Sequence, residues 1–186
     1  MPAPSSDPLP LSLCDFALPI FCNGLGALLH ILEEGRRFAN KQGLNADKVH
    51  VQARLIDDQL PLVFQVQNAI RTVFMNLDRM TGNQWDLDGP FNNNEKTFEE
   101  LEMRVSMAQL EVREVMKERP HKRDEDLVDI VAGGRPLKVT VTEAVQFHGI
   151  PNFIFHVTTA YSILRAKGVP LGKADFILGF VGWRCL

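Results

Sequence analysis

Phe98, Leu101, Val105, Ala108, Val112 and Val115 follow one another at intervals of three, four, three, four and three residues. That rhythm puts six apolar side chains on one side of an α-helix over almost three heptads. Thr97 and Glu100 stand just before it with the spacing of a capping box, which fixes where the helix starts. A helix with such a stripe cannot bury it alone, so the rest of the chain has to supply matching faces.

It supplies three. Leu18, Phe21, Leu25, Leu28 and Leu32 form a second seam, predicting a first helix over 13–41 that opens on a Ser12–Asp15 capping box, is interrupted near Pro19, and stops at Gly43. Leu62, Val66, Ala69, Val73, Leu77 and Met80 form a third, opened by Pro61 and closed by Gly82 and Asn83. Phe153, Val157, Tyr161 and Leu164 form the last, with Pro151 restarting a helix that Thr142 begins and Gly168 and Pro170 ending it. Before it, DIVAGGRPLKVTV flanks Gly133-Gly134 with β-favouring residues, predicting a hairpin over 128–141. The polar linker from Asn83 to Lys96 is long enough to cross the end of a bundle, with Trp85 and Phe91 holding it down. The fold class is therefore all-α, a four-helix bundle with a small β-hairpin before the last helix. Gly24 and Gly26 inside the first helix each cost about 1 kcal/mol relative to alanine, and mark either close packing or ordinary tolerance.

Composition restricts what such a bundle does. A chain of 186 residues, 45% hydrophobic and 23% charged, fits one domain with a true core. The division expected is a lead over 1–11, a helical domain over 12–176 and an apolar tail over 177–186. A formal net charge of −3 does not suit a nucleic-acid partner, and the mixed run from Lys117 to Asp129 reads as a solvated loop. Cys14, Cys22 and Cys185 make no C-x-x-C pair, which points to a reducing compartment. MPAPSSDPLP has neither a basic start nor an apolar run, and no stretch reads as a membrane span, so no membrane partner and a cytoplasmic location are expected.

The chemistry-bearing residues cluster in FHGIPNFIFHVTTAYSILRAKGVPLGK. Asn152, His156, Thr159 and Ile163 are four, three and four residues apart, so three polar groups share one face of a helix whose opposite face is core. Either they satisfy one another and nearby backbone, or they line a ligand pocket between helices, with Gln65 and Asn68 as opposing groups on the second helix and His148 and Tyr161 beside them. Cys22 reads as core, His30 and His121 have no evident partner, and no Gly-rich phosphate loop is present.

The string PNFIFHVTTAYSILRAKGVPLGKADF, with LPLVFQVQNA and more weakly SLCDFALPIF, resembles an uncharacterised domain-of-unknown-function family similar to the DinB/YfiT-like superfamily of four-helix bundles. The resemblance runs from Ser12 to Phe176. It implies an up-down-down-up bundle with a ligand cleft at one end, a three-histidine divalent metal site with one ligand from the second helix and two from the last, and thiol-dependent transferase or isomerase chemistry. The sequence departs from the metal pattern. His148 and His156 are eight residues apart, about 12 Å along a continuous helix, and the second helix has no histidine. Gln65 and Gln67 are poor transition-metal ligands, leaving His50 as the one substitute.

The reading expected from all this is a cofactor-free, metal-free isomerase or cyclase, such as a pericyclase of secondary metabolism, acting on an apolar small molecule. His156 and Asn152 are its catalytic candidates, and Gln65, Asn68, His148, Thr159 and Tyr161 position the substrate. Two alternatives stand beside it. One is a divalent-metal transferase built on His50, His148 and His156; the other is a non-catalytic bundle that forms a homodimer through Phe176, Ile177, Phe180, Val181 and Trp183.

Overall fold

Ser12 opens the first helix as predicted: its hydroxyl accepts the Asp15 N–H at 3.1 Å while the Asp15 carboxylate accepts the Ser12 N–H at 3.2 Å. The computed structural model describes residues 12–85, 93–118 and 124–181. Helix α1 (Leu13–Lys41) runs unbroken through Pro19, correcting the expected interruption. Proline removes the N–H that would serve the carbonyl of Asp15, and Asp15 is exposed, so water can serve that carbonyl instead. Helix α2 (Leu62–Thr81) ends at Gly82, which takes the left-handed conformation at φ 77° that a terminating residue needs. Helix α3 (Phe98–Glu118) has the capping box read from Thr97 and Glu100, and Asp47 from the α1–α2 connection accepts the Phe98 N–H at 2.8 Å.

Strands β1 (Leu127–Ala132) and β2 (Arg135–Thr140) form an antiparallel hairpin in which Ala132 pairs with Arg135 across the two glycines. The chain then stays helical without a gap. A short α4 (Val141–Glu143) leads into a π-helical turn over Ala144–Gly149, and α5 (Ile150–Ala166) follows. The cap is Thr140 with Glu143, whereas Thr142 donates to the Asp124 carbonyl at 3.0 Å, so the start lies two residues earlier than expected. Pro151 stands in the first turn of α5, as expected, although no break precedes it. It withholds an N–H from the Phe147 carbonyl and crowds it, and the widened turn just before it absorbs that conflict.

Cross-helix contacts fix the topology. Gln109 donates to the Cys22 carbonyl at 2.8 Å and Arg36 donates to Glu102 at 2.8 Å, so α1 and α3 are antiparallel. Gly24 meets Phe153 and Gly35 meets Leu164, so α1 and α5 are parallel. Gln65 meets His156 and Thr72 meets Asn152, which makes α2 and α5 antiparallel. The bundle is thus up-down-down-up, with Phe21, Leu25, Leu28, Val66, Val73, Leu101, Val105, Val112, Phe153 and Val157 in one core. A Cβ on Gly24 would lie 2.3 Å from the Phe153 ring, so this glycine marks close packing. The Phe21 and Phe153 rings stand edge to face at 5.4 Å, a geometry that adds about 0.5–1.5 kcal/mol beyond burial.

The tail packs back as a helix, α6 (Lys173–Phe180), which runs through the expected 176/177 boundary and lies along α1. Phe180 approaches Gly24, and Phe176 packs edge to face with Tyr161. His30 is not without a partner: its Nε2 lies 3.1 Å from the Asp175 carboxylate. Trp85 holds the linker as predicted, donating from its ring to Glu111 and from its backbone to Asp78. Phe91, His121, Trp183 and Cys185 lie outside the described residues. Among the described residues, α1 has the length and composition to cross a membrane, contrary to the expectation that no stretch does. Of that window 56% is buried within the protein, where α1 is the central core helix.

Candidate functional site

Gln65, Asn68, Thr72, Asn76 and Arg79 are three, four, four and three residues apart on α2, so they share one face of that helix. The face lies beside, not within, the apolar seam of Leu62, Val66, Ala69, Val73, Leu77 and Met80. Opposite it, α5 and the π-helical turn present His156, Asn152 and Gly149. The two helices meet as an antiparallel polar ladder.

Its first rung is Gln65 and His156, both buried, with Nδ1 of the ring 2.8 Å from Oε1 of the amide. The Gln65 amide nitrogen donates to the Leu60 carbonyl at 2.9 Å, which fixes the amide's orientation. A carbonyl oxygen can only accept, so Nδ1 of His156 carries the hydrogen and Nε2 keeps its lone pair. Burial pushes the ring's pKa down to about 4, and His156 is therefore neutral at pH 7. Phe64 and Phe155 stand edge-on to the imidazole at 6.3 and 5.4 Å.

The second rung is Asn152, whose amide donates to the Thr72 hydroxyl at 2.7 Å; that hydroxyl donates in turn to the Asn68 carbonyl at 2.7 Å. The third is Asn76, which donates to the Thr72 carbonyl at 2.6 Å and accepts from Arg79 at 3.2 Å. Gly149 sits directly on it, and a Cβ there would stand 2.3 Å from the Asn76 side chain. Exposed Phe147, Pro151 and Phe155 recur every fourth residue on the outer side of the turn and α5, while Phe64 and Met75 stand half-buried on α2. The ladder is thus a polar floor with an aromatic and aliphatic rim.

The candidates read from sequence fall unevenly around this ladder. His156, Asn152 and Gln65 meet as cross-helix partners, and not with one another along α5. Asn68 turns its side chain to the Phe64 carbonyl and joins through its backbone. Thr159 bonds to the Phe155 carbonyl of its own helix. Tyr161 faces Phe176 of α6, away from α2. His148 lies on the π-helical turn with Nδ1 buried and without a hydrogen-bond partner. Thr72, Asn76 and Arg79 escaped the sequence reading, although their spacing from Gln65 and Asn68 carried the signal.

The three-histidine set fails a geometric test. Among the described residues no three histidine, cysteine, aspartate or glutamate side chains stand close enough to hold a metal ion, and His50, His148 and His156 are all described. His50 is buried against Phe98 at the head of α3, where burial lowers its pKa against the pull of the Val49 carbonyl, and Lys167 adds to the lowering. These residues do not fit the metal centre that the resemblance implies. Cys22 is core, and burial lifts the Cys14 thiol to about 11, so neither is an activated nucleophile.

Comparison with known proteins places the architecture. A domain of unknown function, DUF1993, matches residues 13–177. A DinB family member protein from Shewanella denitrificans, known from its crystal structure, is similar at 30% identity and a TM-score of 0.70, over 89% of this chain and 91% of that one. No curated protein matches. A family match over residues 13–177, together with a relative of the same bundle over nine-tenths of its length, identifies this chain as a DinB-like bundle of the DUF1993 family.

Proposed function

We propose that the groove between α2 and α5 binds an apolar small molecule and that the protein acts on it as a cofactor-free isomerase or cyclase. The observation that carries this reading is the fixed state of His156: neutral, with Nδ1–H committed to Gln65 and Nε2 left as an acceptor beside an aromatic rim. Nε2 takes a hydrogen bond, or a proton, from an acidified C–H or O–H of the substrate. The imidazolium so formed is disfavoured by burial and gives the proton back readily at a second position of the same molecule. The net change is a rearrangement with no group gained or lost. Asn152, held by Thr72 through one amide hydrogen, has a second to offer an oxygen that gains charge. A ring of this pKa is not an acid at neutral pH, so the first step is acceptance and never donation.

A nitrobenzisoxazole tests the acceptor directly. This flat apolar probe opens its isoxazole ring when a base removes that ring's C–H proton and the N–O bond breaks, and the cyano-nitrophenolate product is coloured. The native protein should accelerate opening over the same concentration of free imidazole. His156→Ala should abolish the acceleration and Asn152→Ala should weaken it, with both variants keeping the native helical circular dichroism. Acceleration that survives in folded His156→Ala, or none in the native protein, would sink the assignment.

A further inference from the structure

Arg79 is the one charged member of the ladder, and no carboxylate touches it among the described residues. Its guanidinium is half-buried and donates to the neutral amide oxygen of Asn76 at 3.2 Å. Among the described residues it forms no ion pair. The adjacent Asp78 carboxylate attracts it through space but makes no contact, and accepts the Trp85 N–H at 2.9 Å instead. Partly desolvating a guanidinium without an anion in contact is unfavourable, and its planar fork is made to grip a carboxylate through two parallel bonds. Together α2 and α5 carry Arg71, Arg79 and Arg165 against Asp78 alone, a local excess of positive charge in a chain whose formal net charge is −3.

The surroundings of Arg79 are built to hold it. Asn76 is fixed by the Thr72 carbonyl on one side and by Gly149 on the other, where any side chain would displace it. The next residue back, His148, has its Nδ1 buried without a partner. From Gly149 to His156 is seven residues, roughly 10 Å along α5 at 1.5 Å per residue. The aromatic rim of Phe147 and Phe155 lies over that interval.

We infer that the ligand of this groove is an amphipathic carboxylic acid, its carboxylate held by Arg79 at the π-helical turn and its apolar body laid along the rim toward His156. This rests on the small-molecule reading above and adds its chemical class. It also orders the site: the charged end anchors beside the turn, and the reacting position lies further along the groove beside Nε2.

Two probes test it, phenylhexanoate with its primary amide, and acetate alone. The native chain should bind the acid at least tenfold more tightly than the amide in calorimetry at pH 7. Arg79→Gln should erase that preference by weakening the acid alone, Arg79→Lys should keep part of it, and His156→Ala should leave it intact. Acetate, small enough to reach Arg79 whatever the tail requires, should shift the Arg79 Nε–H resonance in an NMR titration. Equal binding of acid and amide would overturn the carboxylate anchor while sparing the groove as an apolar site. Loss of both ligands equally in Arg79→Gln would also overturn the anchor, and so would an Arg79 resonance unmoved by acetate. Acceleration of the nitrobenzisoxazole reaction does not involve Arg79, so that reading fails or stands separately.

Discussion

Replacing Gln65 by Glu changes one atom of the first rung and reverses the electrostatics of His156. In the native protein the ring sits 2.8 Å from a neutral oxygen, and burial holds its pKa near 4 against an ordinary 6.5. At 1.36 kcal/mol per pKa unit, that difference disfavours the imidazolium by roughly 3 kcal/mol. A carboxylate at the same distance favours the charged ring, typically by one to three pKa units, so Gln65→Glu should bring His156 back to about 5–7. The Leu60 carbonyl loses its donor in the exchange, at a cost of about 1 kcal/mol that sets the expected loss of stability at neutral pH. Carbon-detected histidine titration of the folded protein reads the shift, and urea unfolding reads the stability. A His156 that still titrates near 4 in a folded Gln65→Glu protein would refute the rung and the tautomer drawn from it.

Other consequences follow from the same structure. Because His156 has a folded pKa below its unfolded value, the unfolded chain binds more protons between the two, and stability should rise with pH from about 4 to 6.5. Burial lowers His50 as well, so both residues act in the same sense, and His156→Phe should flatten the unfolding free energy from urea titration against pH across that window by up to about 3 kcal/mol. Gly149→Ala drives a methyl into Asn76 and should destabilise by about 1–3 kcal/mol through loss of the Thr72 and Arg79 bonds, measured by thermal unfolding. Asp175→Ala removes the acceptor for the Gly172 N–H and the partner of His30, and should speed hydrogen exchange of the α6 amides about fivefold, for roughly 1 kcal/mol of lost capping. Unchanged exchange in α6 would mean that apolar packing on α1 holds it without the carboxylate.

The fold was largely legible because each long helix carries its core on a 3.6-residue period and its ends on local chemistry. Ser12 with Asp15, Thr97 with Glu100, and Gly82 act within a few residues of themselves, so no tertiary knowledge was needed to place them. The errors came where local rules compete. Pro19 and Pro151 read as breaks, yet one falls where an exposed carbonyl can turn to water and the other is absorbed by a π-helical turn. Thr140 and Thr142 are both acceptable caps, and the strand that ends at Thr140 decides between them.

The site was legible in part for the same reason. The polar face of α5 announces itself by spacing, and Gln65 was visible as an opposing group. What spacing cannot give is the partner: Asn152 pairs with Thr72, eighty residues away, and His156 with Gln65, ninety-one away. Nor does it tell which polar groups on a face point across and which fold back, as Thr159 and Asn68 do. For Arg79 the spacing along α2 was there to read, but the lack of an ion-pair contact among the described residues belongs to the structure alone.

The proton on His156 is the most direct test of the whole account, since binding, acceptance and return all depend on where it sits. Two-bond nitrogen–proton correlation of the native protein at pH 7 should show Nδ1 protonated and Nε2 bare, with no imidazolium until the pH falls toward about 4. A protonated Nε2, or an imidazolium at neutral pH, would contradict it.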